Sequence, residues 1–309
     1  GYKMKIMVFD VGGTEIKYSV MDEQMHRTDS GAVPTPQDTQ AQFLDAVYRL
    51  YAPHKDEVSG IAMALPGFVD NRTGYVSNGG ALLYNTATPV GQLLAEKCGC
   101  PVILENDGKA AAMAELANGA LKDCCNAAVF IIGTGVGGGI IANGQLVRGV
   151  HFTAGEYSFV NTNAEAWDAP DQNMACQCST SNLLKWYRAR KALPEDAPLD
   201  GRSFFAAANA GEPEALEVLR RFCHAVAVQI YNLTVLLDVE KVAIGGGISK
   251  QPLLLESLRS AYDGLYASRA GQAYMEGLPR CQIVPCAFSS EANQVGVAAA
   301  YFEAMQKKC

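Results

Sequence analysis

The chain has 309 residues, 49% of them hydrophobic, which is enough to bury two sizeable cores. Its formal net charge of -7, with a pI near 5.2, argues against a nucleic-acid partner, because general nucleic-acid binders present basic surfaces to phosphates. No apolar run has the length of a membrane span, and no signal peptide is recognisable. The ten cysteines lack the spacing of a secreted disulfide scaffold, so a reducing cytoplasm is the expected compartment.

The N-terminal segment predicts a β-hairpin. Ile6 to Asp10 has the pattern of a buried strand and Ile16 to Met21 that of a second strand. Between them, the stretch FDVGGTEIK places an Asp, two glycines and Thr14 ahead of Lys17. Glycines let backbone N–H groups approach phosphate oxygens, while Lys supplies charge and Asp can hold a metal ion. A tight hairpin turn with no ligand is the alternative, and these residues alone leave both open.

The chain then alternates between helix and strand, which is an α/β pattern. TQAQFLDAVYRLY has apolar residues at helical spacing, VSGIAMALPG is typical of a buried strand, and PVILEND predicts a strand that leads into the Ala-rich helix GKAAAMAELANGA. Asp107 stands at the end of PVILEND. An Asp immediately before a helix is a common N-cap, so capping is one role that the sequence predicts for it.

A strand that opens at Ala127 begins a segment similar to the N-terminal hairpin. VFDVGGTEIKYSVMDE and VFIIGTGVGGGIIANG share the order strand, Gly/Thr turn, strand, turn, and the turns at Gly12 and Gly133 align without a gap. A duplicated hairpin that faces phosphate suggests two lobes around one cleft. Two unrelated hairpins of similar sequence are the alternative.

The stretch GTGVGG, from Gly133 to Gly138, also matches the dinucleotide pattern G-x-G-x-x-G. A Rossmann turn must open a helix that receives the pyrophosphate, but GIIANGQLVRG predicts a strand and a hairpin. We therefore reject nicotinamide binding here. A third glycine cluster, Gly245 to Gly247 in VEKVAIGGGISKQPLLLESLRSAY, follows a strand and precedes a helix after Pro252. Such a turn can lie flat against a nucleobase or ribose, or it is a plain strand-to-helix connection.

Taken in order, these segments resemble the ROK family of sugar kinases, within the actin-like ATPase superfamily. The resemblance is carried by DVGGTEIK, LPGFVDNRTGYV, ENDGKAAAMAE, GTGVGGG, AGEYSF and IGGGIS, in the family's order. It implies an α/β, two-lobed actin-like ATPase (ribonuclease H-like) fold, with ATP and Mg²⁺ in a central cleft. We expect one lobe at 1–117, with a C-terminal helix at 291–309 packing back on it, and a larger lobe at 118–290. The resemblance also leads us to expect a homodimer.

The resemblance assigns roles to individual residues. Asp107 matches the catalytic aspartate that accepts the proton of the sugar hydroxyl, and Asp10 would position Mg²⁺ through ATP. The nucleotide-binding residues that it implies are Asp10, Gly12, Gly13, Thr14 and Lys17 in the first turn, Gly133, Thr134, Gly135 and Gly137 in the second, and Gly246 and Gly247 near the adenosine. The expected sugar-binding residues are Asn106, Glu156, Gly80, Asn85 and Phe159. The alternative for Lys17, that it is only a solvated residue of the second strand, stays open.

A zinc site found in related proteins is altered here. Many ROK glucokinases carry G-E-x-G-H, whose His binds a structural zinc together with a C-x-C-G-x-x-G-C cluster. This chain has GEYSF, and its CQCSTSNL keeps Cys176 and Cys178 but has Leu183 at the third cysteine position. Two thiolates do not make a closed zinc site, so no structural zinc is expected. Completion of the site by His151 or His224 stays open.

The same departure bears on the substrate. Phe159 at the His position removes a hydrogen-bond partner and adds an apolar face, and GEYSF with GGALLY is similar to the β-glucoside kinase branch, which phosphorylates the 6-position of disaccharides such as cellobiose. Glucose, fructose and N-acetylmannosamine remain possible acceptors. The loop SNGGALLYNT, with Gly80 and Asn85, is expected to form one wall of the sugar site, unless it is only a surface loop.

The predicted function is therefore ATP-dependent phosphorylation of a sugar hydroxyl, the 6-OH of a hexose or a β-glucoside. The alternative is a non-catalytic, sugar-sensing regulator of the ROK family. Such a regulator would lack a DNA-binding domain, since only nine residues precede Asp10 in this sequence. Dependence of ATP consumption on a sugar distinguishes the two.

Overall fold

The computed structural model describes residues 3–307, which form two α/β units. The first unit comprises the described residues up to Asn118, the segment Arg148–Ala154, and the described residues from Ser290 onward. The second unit comprises Gly119–Val147 and Gly155–Ser289. Each unit contains a five-stranded sheet with helices packed on it, so the α/β fold class predicted from the sequence is confirmed.

Strands and helices are interspersed along both units. The strands are β1 (Lys5–Val11), β2 (Glu15–Asp22), β3 (Arg27–Pro34), β4 (Ile61–Leu65), β5 (Phe68–Val69), β6 (Val76–Asn78), β7 (Val102–Asn106), β8 (Ala127–Ile132), β9 (Val136–Ala142), β10 (Gln145–Leu146), β11 (Lys241–Gly245) and β12 (Gln282–Pro285). The α-helices are α1 (Gln40–Tyr51), α2 (Val90–Cys98), α3 (Asp107–Asn118), α4 (Met174–Cys178), α5 (Thr180–Arg190), α6 (Gly201–Asn209), α7 (Pro213–Leu237), α8 (Pro252–Ala267) and α9 (Ala292–Gln306).

The sheet of the first unit has the strand order β3-β2-β1-β4-β7. Strands β1 and β2 form the antiparallel hairpin expected from the sequence, and β1, β4 and β7 run parallel. Every residue of β4 is buried, as expected for a parallel strand covered on both faces. Helix α9 packs on α3, and a Cβ on Gly296 would overlap the backbone of Ala110. This close approach brings the last helix of the chain onto the helix that begins at Asp107.

The sheet of the second unit has the order β10-β9-β8-β11-β12. Its β8–β9 hairpin is antiparallel, while β8, β11 and β12 run parallel, so each sheet combines a glycine-turn hairpin with further parallel strands. The internal repeat predicted from the two glycine turns is therefore seen in both sheets. The 25-residue helix α7 buries Phe222, Val226 and Ile230 along one face, which is the spacing of an amphipathic helix.

The second glycine turn leads into a strand. After Gly133–Gly135 the chain forms β9 and then turns at Asn143 and Gly144, whose φ values are 53° and 77°. Two successive residues with positive φ are typical of a tight two-residue hairpin turn. The structure thus confirms that GTGVGG does not open a helix, which a Rossmann dinucleotide site requires.

Residues 3–307 contain all but one of the ten cysteines of the chain. The nine cysteines in this range are free thiols; Cys309, the tenth, lies outside the described residues. None of the helices in the same range combines the length and the apolar character that a transmembrane span needs.

Candidate active site

The first unit gathers several predicted site residues at the carboxyl edge of its sheet. Asp10 of β1 is in register with Ala64 of β4, which is in register with Glu105 of β7. Neighbouring strands are about 4.8 Å apart, so this row crosses roughly 10 Å. Because β1 and β7 end on the same side of the sheet, Asp10 and Asp107 both stand at this edge.

The first glycine turn connects β1 and β2. The Gly12 N–H donates to the Glu15 carbonyl at 2.8 Å and closes the hairpin. The next N–H groups, those of Gly13 and Thr14, donate to no acceptor among residues 3–307. A Cβ on Gly13 would lie 3.2 Å from that of Ala81, so the turn has little room for a side chain. The segment is therefore a hairpin turn that also leaves backbone donors available for anionic oxygens.

Asp10 is a partly buried carboxylate at the start of this turn. Its Oδ1 accepts a hydrogen bond from Asn293 Nδ2 at 3.1 Å, whereas Oδ2 has no hydrogen-bond partner among the described residues. Burial raises the pKa of Asp10, and the hydrogen bond from Asn293 and the charge of Lys17 oppose the rise. Lys17 faces Asp10 in the register of the β1–β2 hairpin. A carboxylate oxygen left available beside backbone donors fits a Mg²⁺ ion that arrives with a nucleotide, because Mg²⁺ prefers oxygen ligands and is commonly shared with substrate phosphates.

The junction of β7 and α3 positions Asn106 and Asp107. Asn106 Oδ1 accepts from the Lys109 N–H at 3.1 Å, and its Nδ2 donates to the Gly67 carbonyl at 2.7 Å. Asn106 is thus the residue that caps α3, a role for which the sequence had suggested Asp107. Asp107 is instead the first residue of the helix, partly buried, with Oδ1 accepting from the Gly108 N–H at 2.7 Å.

The loop that follows β6 contacts this junction. Gly80 has a φ of +59°, and a Cβ on it would lie 3.0 Å from the Gly67 nitrogen, next to the carbonyl that Asn106 uses. Asn85 is buried, with Oδ1 accepting from Gln40 Nε2 at 3.1 Å. Its Nδ2 is buried as well and has no hydrogen-bond partner among residues 3–307. Gly80 is therefore packed against the residue that holds Asn106, and Asn85 lies further along the same loop.

Three residues of this unit were not identified from the sequence. Asn293 contacts Asp10 from a position 283 residues further along the chain, and Glu105 and Arg148 form a largely buried ion pair beside Asn106. No local pattern marks Asn293 or Arg148. The acidic Glu105 at the end of an otherwise apolar strand was the one available signal, because a buried charge requires a partner.

The second unit holds the other two glycine turns, at the carboxyl ends of the neighbouring parallel strands β8 and β11. The Gly133 N–H donates to the Gly135 carbonyl at 2.9 Å. The backbone N–H groups of Thr134 and Gly135 donate to no backbone or side-chain acceptor in the described part of the chain. Gly246 has a φ of +97°, and a Cβ on it would overlap the Ile132 carbonyl. The two turns are therefore adjacent. Cβ atoms on Gly137 or Gly247 would meet nothing within 4 Å, so both glycines face open space.

Glu156 immediately precedes a short 3₁₀ helix of the same unit, Tyr157–Phe159, and Phe159 is its last residue. Tyr157 is buried, stacks on Phe130 with ring centroids 5.5 Å apart, and donates from its hydroxyl to the Gly139 carbonyl. Glu156 is partly buried and its carbonyl accepts from the Phe159 N–H at 3.2 Å. The Phe159 side chain is 71% exposed. Burial of Tyr157 thus fixes the orientation of a segment whose outer residue presents an aromatic ring to solvent.

The two cysteines of the altered zinc motif differ in their surroundings. Cys176 Sγ donates to the Pro170 carbonyl at 3.5 Å, whereas Cys178 is fully buried and burial raises the pKa of its thiol to about 12. Leu183, at the third cysteine position, is also fully buried. Among residues 3–307, the group of three side chains close enough to share a metal ion contains neither cysteine and comprises Asp29, His54 and Glu57. The absence of a structural zinc stays a prediction.

Comparison with known proteins decides the family. Residues 6–306 match the model of the ROK family. The chain belongs to the ROK family. The membership predicted from the six sequence segments is thereby confirmed.

Individual relatives extend this result. The chain of this ROK protein is 31% identical over 258 residues to a β-glucoside kinase of Listeria innocua, covering 83% of this chain and 87% of that protein. It is 30% identical over 269 residues to a glucokinase of Halalkalibacterium halodurans, covering 78% and 79%. Among solved structures, a ROK family protein of Streptococcus pneumoniae, determined in complex with sucrose, is 28% identical with a TM-score of 0.85 and covers 98% of this chain and 100% of that one.

Proposed function

We propose that this protein transfers the γ-phosphoryl group of ATP to the 6-hydroxyl of a hexose or β-glucoside, with Asp107 as the proton acceptor. The broader prediction, an ATP-dependent carbohydrate kinase, is confirmed by the relatives, which are named as kinases of glucosides and of glucose. The regulator alternative has less support from these names. The homodimer, the cytoplasmic location and the lack of a nucleic-acid partner stay predictions.

The proposal depends most on one observation, the position of Asp10 and Asp107 at the carboxyl ends of β1 and β7, two parallel strands of one sheet. Two strand spacings, roughly 10 Å, separate the row positions of Asp10 and Glu105. A phosphoryl group in transfer lies between its nucleotide and the attacking hydroxyl, so a nucleotide-side carboxylate on β1 and an acceptor-side carboxylate just after β7 suit the reaction.

On the nucleotide side, the residues of the first turn bind phosphate. The N–H groups of Gly13 and Thr14, which have no acceptor among residues 3–307, would donate to phosphate oxygens, with Lys17 as a nearby positive charge. Asp10 would hold Mg²⁺, which when bound neutralises charge on the phosphoryl oxygens. We assign Gly133, Thr134, Gly135 and Gly137 of the second glycine turn to the nucleotide phosphates, and Gly246 and Gly247 to the adenosine.

On the acceptor side, Asp107 accepts the proton of the attacking hydroxyl. It is the first residue of α3, so its side chain lies at the end of the helix that carries partial positive charge. Asn106 is held by its two hydrogen bonds and so fixes the backbone that presents Asp107. The buried Nδ2 of Asn85, which has no partner in the described part of the chain, is a donor that a sugar hydroxyl oxygen would satisfy, with Gly80 and Glu156 as further contacts.

A β-glucoside is the acceptor that we favour over a free hexose. Phe159 presents an exposed apolar ring where a hydrogen-bonding His stands in related glucokinases. The Listeria innocua relative is named a β-glucoside kinase, and the Streptococcus pneumoniae structure contains the disaccharide sucrose. Both support an acceptor with a group attached to the first ring.

Asp107→Asn tests the reaction. An assay of sugar-dependent ADP release should show a loss of turnover of about 10²- to 10⁴-fold, because the proton acceptor is removed while size and shape are kept. ATP binding and the melting temperature should change little. Asp196→Asn, at an exposed carboxylate, is the matched control and should keep full activity. Near-normal turnover of Asp107→Asn would show that the base is another group.

A substrate panel separates the remaining alternatives. We expect the highest kcat/KM for cellobiose among cellobiose, glucose, fructose and N-acetylmannosamine, since the ratio reports relative binding of the transition states. A preference for a free monosaccharide would contradict the β-glucoside assignment and leave the kinase. Absence of sugar-dependent ADP release with a broad panel would favour the regulator.

A further inference from the structure

A cavity of about 450 Å³ opens in the second unit beside the Tyr157–Phe159 helix. This volume lies in the usual range of small-molecule sites, about 300 to 1,000 Å³. The residues that line it and bear on its chemistry are Ser158, Phe159, Asn161, Trp167, Asp168 and Gln172. The sequence comparison with the family identified Phe159 alone among these.

Two large aromatic side chains of this cavity are exposed to solvent. Trp167 is 72% exposed and Phe159 is 71% exposed. Exposed aromatic residues that share one concave site bury large apolar faces when a ligand binds. A pyranose ring has an apolar face of C–H groups and a rim of hydroxyls. It therefore matches aromatic rings that stand beside polar groups.

Asp168 and Ser158 supply hydrogen-bond acceptors to the cavity. The carboxylate of Asp168 has no hydrogen-bond partner among the described residues, and Ser158 Oγ donates to the Val136 carbonyl at 2.6 Å, which leaves its lone pairs available. Sugar hydroxyls donate to such groups. The site thus offers apolar faces and acceptors together, as a neutral, hydroxyl-rich ligand requires.

The wall that carries Trp167 is held by its own hydrogen bonds. The Thr162 N–H and Asn161 Nδ2 both donate to the Gln172 carbonyl, at 2.9 and 3.1 Å, and the Met174 N–H donates to the Val160 carbonyl at 2.8 Å. These bonds tie the two ends of the loop together. The cavity is therefore formed before a ligand enters, which reduces the entropy lost on binding.

The cavity adjoins residues that we assign to the reaction. Ser158 and Phe159 follow Glu156 directly in the chain, and the Phe159 N–H donates to the Glu156 carbonyl. A Cβ on Gly135, in the second glycine turn, would lie 3.7 Å from Ser158 Oγ. A ligand that extends from Glu156 can therefore reach the aromatic pair.

We propose that this cavity binds the second ring, or aglycone, of a β-glucoside acceptor. The faces of Phe159 and Trp167 contact the C–H face of that ring, and Asp168 accepts a hydrogen bond from one of its hydroxyls. The proposal rests on the proposed function and deepens it, because it names Trp167 and Asp168 as residues that select the acceptor.

Kinetics of Trp167→Ala test the proposal. For cellobiose, kcat/KM should fall about five- to tenfold, the effect of one lost aromatic stacking contact. For glucose it should change less than about twofold, since glucose lacks the second ring; Trp167→Phe should keep most of the cellobiose activity. Tyr274→Ala removes another exposed aromatic ring of the same unit, 79% exposed and outside the cavity, and should leave both substrates unaffected.

Fluorescence gives a readout that is independent of catalysis. The chain has two tryptophans, Trp167 and Trp186. The guanidinium carbon of Arg221 lies 3.7 Å from the centre of the Trp186 ring. In Trp186→Phe, emission therefore reports on Trp167 alone. Titration with cellobiose should shift this emission to shorter wavelength because the indole leaves water, whereas glucose should leave it unchanged.

The outcomes distinguish this proposal from the proposed function. Equal losses for cellobiose and glucose in Trp167→Ala, or an emission that does not respond to cellobiose, would overturn the second-ring site and leave the kinase standing. A variant with altered oligomeric state and unchanged kinetics would show that the aromatic pair contacts another copy of the chain, which also overturns it. If the unsubstituted protein phosphorylates no sugar, the proposed function fails, and the response of Trp167 to cellobiose then decides the cavity by itself.

Discussion

Arg148 Nη1 lies 2.5 Å from Oε2 of Glu105, the residue that precedes Asn106 and Asp107. The Glu105 side chain is 1% exposed and that of Arg148 is 25% exposed. Glu105 Oε1 also accepts from the Asn106 N–H at 3.0 Å. Burial raises the pKa of Glu105, and the nearby charge of Arg148 is the foremost opposing cause. The pair thus holds the segment Arg148–Ala154 against β7 at Glu105, two residues before Asp107, the proposed base.

Loss of Arg148 should destabilise the protein more than loss of the Glu105 charge. Arg148→Met leaves a buried carboxylate without its partner, for which about 3 to 5 kcal/mol is expected, whereas Glu105→Gln removes the buried charge itself. The pKa of Glu105 should rise further without Arg148. The loss of unfolding free energy in Arg148→Met should therefore become smaller at acid pH, where Glu105 takes up a proton. Urea unfolding at pH 7 and pH 5 measures both effects.

The exposed pair Arg190–Glu217 provides the matched control. It has the same 2.5 Å separation and the same residue types, but its side chains are 50% and 57% exposed. Arg190→Met should therefore cost no more than about 1 kcal/mol at either pH. Equal destabilisation by Arg148→Met and Arg190→Met would show that burial does not set the strength of the Glu105 interaction.

Asp10→Asn should inactivate the kinase and stabilise the fold at neutral pH. Burial raises the pKa of Asp10, so the folded state binds this proton more tightly than the unfolded chain does. The associated stability is present at low pH and is lost as the pH rises through the folded pKa. The Asn side chain keeps the shape and can still accept from Asn293. Melting temperatures at pH 4 and pH 7 should show a gain for the variant that is larger at pH 7; a lower melting temperature at pH 7 would contradict it.

Gly246→Ala and Gly247→Ala should affect different properties. Gly246 has a φ of +97° and a Cβ there would overlap the Ile132 carbonyl, so its alanine variant should lose at least about 2 kcal/mol of stability. A Cβ on Gly247 meets nothing within 4 Å, so that variant should keep its melting temperature. Its KM for ATP should rise if Gly247 contacts the adenosine. An unchanged KM would remove Gly247 from the nucleotide site.

The purified protein should contain no stoichiometric zinc. Cys178 is fully buried with a thiol pKa of about 12, so it is a poor source of the thiolate that zinc requires, and Leu183 replaces a third ligand. Metal analysis of protein prepared without chelators measures the content, with Cys176→Ala as the comparison. About one zinc per chain, lost in the Cys176 variant, would show that the site has other ligands.

Local patterns in the sequence determined much of the fold. The β1–β2 hairpin, helix α3 after β7, and the strand that follows GTGVGG were all predicted, because side-chain periodicity and glycine turns act over a few residues. The order of the six segments also determined the family. The cap of α3 was predicted one residue too late, because Asp107 and Asn106 are both good capping residues. In the structure Asn106 caps the helix, with hydrogen bonds to the Lys109 N–H and the Gly67 carbonyl.

The tertiary structure alone decided which distant residues meet. Asn293 reaches Asp10 because α9 packs on α3, Arg148 reaches Glu105 because its segment lies with the first unit, and Trp167 joins Phe159 because hydrogen bonds close the loop between Asn161 and Gln172. No periodicity links such residues, because each contact depends on how whole elements pack and not on spacing along the chain. The sequence therefore determined the family and the local turns, while packing placed partners beside the buried carboxylates and formed the aromatic cavity.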